Sequence, residues 1–427
     1  MTLHSGLRSR AGLGALVLFG TLSVRATEVA GFDPVAATEA YLARMSPEAR
    51  ARSDAYFEGG YWLLLINLVL SLFLSWLLLR TGFARGLRDR VERWTKQPFV
   101  QAWLFLVLFS LVSWLLNLPM DAYEGFFREH AYQMSNQTFG AWFGDNVKGL
   151  VVSLILLPLV VAALYAGIRR FGARWWIAAS VATPFLLLFL IVLSPVFVAP
   201  LFNKYTTLED AKLRDPILSM ARANGVPAEH VYQFDASRQT KRVSANVSGA
   251  FGTIRVSLND NLLHRCPPEG VMAVMGHELG HYVLNHVYRH VIYLSLMIAA
   301  GFWFTHWAFH FVLARWGAAW GVRGIADLAG LPLLSACLGV FLFLATPVRN
   351  TIIRTAEVEA DYYGLNSARQ PDAMAEAFLM LAEYRKMHPG KWEEILFFDH
   401  PSGYNRILAC MRWKAERLAE LKVPAGK

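Results

Sequence analysis

Six long runs of predominantly apolar residues divide the chain into alternating apolar and polar segments. An α-helix needs about 20 such residues to cross about 30 Å of hydrocarbon at 1.5 Å per residue. Buried core helices are usually shorter and rarely occur six times in one chain, so the pattern favours membrane-spanning helices over core helices. The predicted spans are residues 61–79, 99–118, 149–168, 175–197, 291–313 and 328–346.

A shorter apolar run, residues 11–24, lies near the N-terminus. Arg8 and Arg10 precede it, and it ends at Val24-Arg25-Ala26, a sequence typical of a small-residue cleavage site. A basic segment, an apolar stretch and such a site favour a cleaved signal peptide. The alternative is an uncleaved first membrane helix, which would bring the total to seven.

Two polar regions are long enough to fold outside the hydrocarbon. The first predicts a helix over residues 209–223, ended by Asn224-Gly225, and then a hairpin of residues 244–248 and 253–258, the second strand with one buried face. The second polar region, which follows the last span, predicts helices. The expected organisation is therefore 1–26 signal peptide or first membrane helix, 27–60 polar segment, 61–198 four membrane helices, 199–290 first folded polar region, 291–346 two membrane helices, and 347–427 C-terminal helices.

Composition agrees with a membrane protein. Of the 427 residues, 55% are hydrophobic and 17% are charged, against about 45–50% and about 25% in soluble proteins. Three widely separated cysteines exclude a disulfide framework and a thiolate metal site. The net charge of +9 comes largely from arginines that flank apolar runs. We therefore interpret the basic character as a membrane feature and expect no nucleic-acid partner.

Arginine positions also predict an orientation. Basic residues crowd the connections at 80–96, 169–174 and 315–323, whereas the segment 121–148 is mildly acidic. Cytoplasmic loops carry an excess of Lys and Arg, so these connections are expected in the cytoplasm. The polar region 199–290 and the C-terminal tail would then lie on the non-cytoplasmic side of the membrane, which is the inner or plasma membrane if the host is bacterial.

The clearest chemical signal is the sequence Gly276-His-Glu-Leu-Gly-His281. His277 and His281 are four residues apart, so on a helix both imidazoles can reach one Zn²⁺. Glu278 is adjacent and can reach a water molecule at the metal as a general base. The motif alone arises by chance in roughly two chains of this length in a hundred, so a helix with two surface histidines is the alternative.

A catalytic zinc keeps three protein ligands, so a third ligand is expected elsewhere in the chain. Residues 354–361 supply candidates just beyond the last span, on the same membrane face as His277 because two spans separate them. Glu357 and Asp361 share a helical face, whereas Glu359 points elsewhere. This predicts Glu357 as the ligand and Asp361 as the acceptor that orients a ligand histidine; without the upstream motif, a solvated acidic helix face would be the commoner interpretation.

Taken together, the motifs resemble those of the type I CAAX prenyl endopeptidases, which are integral-membrane zinc proteases. The matching segments are spread along most of the chain in the same order, which is far more specific than any one motif. They are Ala199-Pro-Leu-Phe-Asn-Lys-Tyr205, Ser237-Arg-Gln-Thr-Lys-Arg-Val-Ser244, Gly276-His-Glu-Leu-Gly-His281 with Asn285-His286, Arg354 ahead of Glu357 and Asp361, and His400-Pro401 with Arg406.

The resemblance implies a fold and a set of roles. The fold would be an all-α polytopic membrane protein of six or seven transmembrane helices enclosing a chamber, with a small α+β zinc-protease portion that carries a β-hairpin edge strand. One Zn²⁺ per chain would be bound by His277, His281 and Glu357. The implied roles of the others are general base for Glu278, support of the ligands for Asp361, oxyanion stabilisation for His400 with Arg406 beside it, and substrate binding for Ser244, Ala245 and Asn246.

The expected function is thus a membrane zinc metalloendopeptidase acting on a peptide or protein substrate that is membrane-associated or lipidated, in processing or quality control. The alternatives are a catalytically inactive membrane scaffold and a polytopic transporter. The sequence departs from the family at the edge strand, where an Asn-Ala pair is usual and Ser244-Ala245-Asn246 stands here. His306 and His310 are also four residues apart, but no carboxylate accompanies them, and we expect them to line the chamber or to form a helix contact. Asn285 is expected to support the metal ligands, and His286 to lie at the membrane interface.

Overall fold

The computed structural model describes residues 32–249 and 254–418, so the predicted signal peptide or first helix lies outside the described residues. Most of the described chain is helical. Two π-helical turns, Tyr123–Arg128 and Ser194–Val198, interrupt the longer helices. The α-helices are α1 Pro34–Leu42, α2 Pro47–Arg80, α3 Phe83–Trp94, α4 Pro98–Ala122, α5 Glu129–Ala131, α6 Phe139–Phe171, α7 Trp175–Leu193, α8 Ala199–Phe202, α9 Ala211–Ala223, α10 Asp260–Arg265, α11 Pro268–Val283, α12 His286–Trp320, α13 Leu331–Leu344, α14 Thr346–Ala368, α15 Pro371–Met380, α16 Lys391–Phe397 and α17 Gly403–Glu416.

Each of the six predicted spans lies within long apolar helices. Within the described residues, four helical stretches are long and apolar enough to cross a membrane, Pro47–Arg80, Pro98–Ala131, Phe139–Phe202 and His286–Trp320. The pair Leu328–Leu344 and Thr346–Ala368, bent by 52°, is a fifth if the pair forms one span. The third and fourth predicted spans share the stretch Phe139–Phe202. This stretch is interrupted by the 3₁₀ turn Gly172–Arg174, where Gly172 has a φ of +54°. The flanking helices α6 and α7 contact each other.

The basic connections meet at one end of the membrane helices. Arg88, which is only 4% exposed, forms an ion pair of 2.5 Å with Asp327 and donates a hydrogen bond of 3.0 Å to the carbonyl of Gly321. Arg323 pairs with Glu92 at 2.8 Å. The connections after the first and fifth predicted spans therefore lie on the same face, as an alternating topology requires.

A four-stranded sheet lies in the polar region that follows the fourth predicted span. Its strands are β1 Tyr205–Thr207, β2 Val231–Phe234, β3 Ala245–Ser248 and β4 Arg255–Asn259, in the order β1-β2-β4-β3. β2 and β4 are parallel, and the other two pairs are antiparallel. β3 is an edge strand, as expected, and Ala245 pairs with Leu258.

Two local predictions need correction. β4 is buried on both faces, because Ser257 and Asn259 are each only 1% exposed, whereas the sequence predicted one buried face. The polar side chain of Asn259 can be buried because it has hydrogen-bond partners within the protein. It accepts a hydrogen bond from the Leu262 amide and donates one to the carbonyl of Arg242. The helix predicted at 209–223 begins at Ala211, because the carboxylate of Asp210 caps its N-terminus.

Helices α11 and α14 pack at van der Waals contact through glycines. A Cβ on Gly364 would lie 2.8 Å from the amide nitrogen of His277, and a Cβ on Gly276 would lie 3.1 Å from the carbonyl oxygen of Gly364. Gly280 faces Tyr363 in the same way, with its Cβ position 2.9 Å from that of Tyr363. Glycine is thus required on both helices for the two predicted ligand segments to come this close.

Gly364→Ala should push α11 and α14 apart, because the new methyl group would overlap the backbone of His277. Overpacking of this kind typically costs about 1–3 kcal/mol, so the melting temperature of the detergent-purified protein should fall. Gly339→Ala on α13 is the matched control, since its Cβ position has no neighbour within 4 Å. Equal melting temperatures for the two variants would contradict the glycine contact.

Candidate metal centre

Three predicted ligands converge between α11 and α14. Nε2 of His277 and Nε2 of His281 are 3.1 Å apart. Each nitrogen is 3.4 Å from an oxygen of Glu357, Oε2 for His277 and Oε1 for His281. Among the described residues this is the one group of three or more His, Cys, Asp or Glu side chains whose donor atoms all lie within 4.8 Å.

These separations fit a tetrahedral metal ion. Ligand atoms about 2.0–2.1 Å from a tetrahedral zinc lie about 3.3 Å from one another, and the observed donor separations are 3.1–3.4 Å. Two imidazoles and one carboxylate are also a donor set that leaves one position open in catalytic sites. The residues present therefore fit a single divalent ion of the zinc type.

Asp361 lies next to Nδ1 of His277, and Arg406 in turn pairs with Asp361. Nδ1 of His277 lies 2.8 Å from Oδ1 of Asp361, although the ring is turned so that its N–H does not point straight at the oxygen. Arg406 donates to both oxygens of Asp361, at 2.8 Å and 2.5 Å, and stacks on the ring of Phe378 at 3.9 Å. Because Arg406 and Asp361 are 6% and 3% exposed, this pair holds the carboxylate rigidly.

The same contacts control the protonation of His277. Burial alone would lower the pKa of His277, but the adjacent carboxylates of Asp361 and Glu357 outweigh it and raise the pKa to about 10. Because a metal ligand must be deprotonated, binding of a metal ion at His277 would be coupled to release of a proton.

Glu278 lines a cavity of about 270 Å³ next to the three ligands. Burial raises the pKa of its carboxyl group above the ordinary value. Ser244 and Ala245 line the same cavity, as do several apolar side chains. Asn246, the remaining residue of the predicted substrate-binding set, is not among the lining residues.

His400 lines the same cavity and contacts one of the predicted ligands. Its Nε2 is 3.2 Å from Oε2 of Glu357, and its Nδ1 donates a hydrogen bond of 2.8 Å to Oδ1 of Asp399. Arg385, which the sequence did not single out, lines the cavity and lies 3.7 Å from Asp399. Burial lowers the pKa of His400.

The sequence predicted the surroundings of two residues next to the motif, Asn285 and His286, wrongly. Nδ1 of His286 lies 2.9 Å from Nδ1 of His281, and His286 is 1% exposed, so it is a contact of the metal centre and not an interfacial residue. Asn285 is instead exposed, has a φ of +56°, and its amide reaches only the carbonyl of Val283. Glu359 does point away from the ligand cluster, as predicted, but towards His286. No periodic signal could have shown this, because the helix breaks between His281 and His286.

The second histidine pair is a helix contact, as expected. Nδ1 of His306 lies 3.1 Å from Nε1 of Trp175 on α7, and Nδ1 of His310 lies 2.7 Å from the carbonyl of His306. Neither histidine belongs to a metal-binding group among the described residues.

Comparisons with known proteins agree with this geometry. Residues 35–204 match a family model described as CAAX prenyl protease N-terminal, five membrane helices, and residues 207–414 match peptidase family M48. The uncharacterized metalloprotease YhfN of Bacillus subtilis is 30% identical over 85% of each chain. The CAAX prenyl protease 1 homolog of rice, Oryza sativa subsp. japonica, is 27% identical over 71% of this chain and 72% of its own.

The fold has also been solved in a relative. The crystal structure of S. mikatae Ste24p superimposes with a TM-score of 0.73 at 22% sequence identity and covers 86% of this chain and 89% of Ste24p. Both halves of the described chain thus have counterparts, the membrane helices and the portion with the metal-binding cluster. The chain belongs to peptidase family M48 and is an integral-membrane metalloprotease.

Proposed function

We propose that the chain is a zinc metalloendopeptidase in which His277, His281 and Glu357 hold one Zn²⁺ and Glu278 is the general base. The observation that supports this most is the near-tetrahedral spacing of the three donors beside a cavity lined by Glu278. Neither a transporter nor an inactive scaffold is favoured, because every residue that the chemistry requires is present in this cluster.

When bound, the zinc ion would supply Lewis acidity, lowering the pKa of water and polarising a peptide carbonyl. Glu278 would accept the proton of the attacking water, and its raised pKa suits a group that must take up a proton near neutral pH. The same carboxyl group can then pass this proton to the leaving amine. Asp361 and Arg406 would keep the ring of His277 in place throughout.

His400 would donate a hydrogen bond to the negative charge that develops on the carbonyl oxygen. Its Nδ1 hydrogen is already directed at Asp399, so Nε2 can donate only when the ring carries both protons. The carboxylates of Asp399 and Glu357 favour that form, whereas burial opposes it. Developing negative charge on the substrate would shift this balance towards the donating form.

The substrate would lie extended along the free edge of β3. The amide of Asn259 donates to the carbonyl of Ser244, so Ser244, and by alternation Asn246, direct their backbone groups at β4. Ala245 and Val247 then present their backbone N–H and C=O groups to the free edge. We infer that these two residues pair with the substrate main chain, while the Ser244 side chain lines the cavity.

The substrate class follows from the location of the site. Helix α14, which carries Glu357, continues from the membrane helix α13, so the cavity opens close to the bilayer. We infer peptide substrates that are membrane-associated or lipidated, with the catalytic portion at 199–290 and 347–427. The arginine-rich connections support a non-cytoplasmic location for this portion.

Removal of Glu357 should empty the site, because two histidines alone leave the ion without its third protein ligand. Wild-type protein should contain one zinc per chain and Glu357→Ala should lose most of it, measured by elemental analysis of purified protein. His400→Ala is the matched control, since His400 also contacts Glu357 but is expected not to be a ligand. Full zinc in the Glu357 variant, or zinc loss in the His400 variant, would contradict the ligand assignment.

Glu278→Gln should keep zinc and fold but lose the charge that accepts the proton. The rate of peptide hydrolysis should fall roughly 10²–10⁴-fold, with zinc content measured on the same preparation. Glu269→Gln, the same substitution at an exposed position of the same helix, serves as the comparison and should retain wild-type activity. Near-normal hydrolysis by the Glu278 variant would exclude it as the base.

A topology reporter fused after Lys427 tests the orientation. The positive-inside rule predicts the non-cytoplasmic side for this end, because the basic connections lie at the opposite ends of the helices. A fusion within the connection at 169–174 is the control and should report the cytoplasm. If the Lys427 fusion reports the cytoplasm, the predicted orientation is wrong.

A further inference from the structure

We propose that His286 and Glu359 are positioning residues for the metal centre, which fix the ring orientation and the tautomer of His281. This inference rests on the proposed function, since it requires a metal at His277, His281 and Glu357. The residues involved form a series of contacts outside the cavity that Glu278 lines. His281 contacts His286, His286 contacts Glu359, and Glu359 contacts Arg289.

The contacts form one unbroken series of hydrogen-bond distances. Nδ1 of His281 is 2.9 Å from Nδ1 of His286. Nε2 of His286 is 3.0 Å from Oε2 of Glu359. Arg289 then donates to both oxygens of Glu359, at 2.5 Å and 3.2 Å.

Counting hydrogens along this series leaves one arrangement. A histidine that binds a metal through Nε2 carries its hydrogen on Nδ1, so His281 must donate to Nδ1 of His286. His286 then carries its own hydrogen on Nε2 and donates it to the carboxylate of Glu359. Arg289 has only donors, and it completes the series by fixing that carboxylate. Each group thus has the partner that it needs, and the tautomer of His281 that exposes the Nε2 lone pair is selected.

The backbone holds this series rigidly. Asn285 adopts the left-handed conformation and thereby turns the chain sharply between α11 and α12, so the first residue of α12, His286, returns to the side of His281. His286 is 1% exposed, which excludes water as a competing partner. Glu359 lies two residues beyond Glu357 on α14, so one helix supplies both a ligand and a support for another ligand.

The two ligand histidines are therefore supported in parallel ways. His277 contacts Asp361, which Arg406 holds, and His281 contacts Glu359 through the ring of His286, with Arg289 holding the carboxylate. The imidazole of His286 lies between His281 and Glu359 and links the two residues. Both supports end in a carboxylate–arginine pair, which is the arrangement expected where a ligand ring must not rotate.

The test is the rate at which zinc leaves the full-length protein in detergent when a chelator is added in excess. His286→Phe keeps a ring of similar shape but cannot accept from His281, and zinc should leave roughly 10–100-fold faster. His286→Gln can accept through its oxygen and donate through its amide, so its rate should lie between those of wild type and His286→Phe. Glu359→Gln should give a smaller acceleration, about threefold or more, in line with its more distant position.

His310→Phe is the matched control, because it makes the same substitution at an exposed position of the same helix. Its zinc release rate should equal that of wild type. Thermal unfolding of the zinc-free proteins is measured alongside, since a purely structural role for His286 would lower stability without changing zinc release. If His286→Phe does not fold, Glu359→Gln and His286→Gln decide the question.

Zinc release at the wild-type rate from folded His286→Phe and Glu359→Gln would overturn the positioning role. Failure of the proposed function gives a different result, because zinc content would then not depend on Glu357. Faster release in the His286 and Glu359 variants, with unchanged release in His310→Phe and with zinc-free stability preserved, supports the inference.

Discussion

The close contact between α11 and α14 is the constraint on which the metal centre depends. Two histidines on one helix and a glutamate on another, 76 positions further along the chain from His281 to Glu357, can share one ion only if the helix axes come unusually near. Gly276, Gly280 and Gly364 permit this, since a Cβ at any of them would lie within 3.1 Å of the opposite helix. Membrane proteins use small residues in the same way between helices, although here the contact lies where the chain leaves the bilayer.

Around this contact, charge is arranged so that each buried ionic group has a partner. Arg406 pairs with the buried carboxylate of Asp361, and Arg289 pairs with the more exposed carboxylate of Glu359, so both carboxylates next to the histidines have an arginine partner. Glu278 is the exception, since it lines the cavity, belongs to none of the ion pairs among the described residues, and has a pKa raised by burial. That difference separates the groups that hold the metal in place from the group proposed to move a proton.

The membrane helices anchor the protein and also help to position residues of the candidate metal centre. Helix α12 begins at His286 and α14 continues from α13 across a 52° bend, so the ends of two membrane-embedded elements carry residues of the centre. At the far end, the ion pair between Arg88 and Asp327 ties α3 to the connection between α12 and α13. The positions of Glu357 and His286 are therefore set partly by how these helices pack in the bilayer.

The sequence by itself determined the membrane class and the three metal-ligand candidates, and it predicts Glu278 as the general base. The membrane helices and the histidine pair are encoded locally, in runs about as long as the bilayer is thick and in residues four apart on a helix, so spacing reveals them. The resemblance to a known family added the edge strand. The sequence also placed Asp361 correctly, because Glu357 and Asp361 share a helical face. Only the tertiary structure decided that His286, and not Asn285, contacts His281, that Glu359 contacts His286, and that Arg385 lines the cavity. Those contacts depend on the left-handed backbone conformation of Asn285 and on the packing of helices that are far apart in the sequence. The periodicity of the sequence predicts neither the position of such a turn nor the helix that will pack against another.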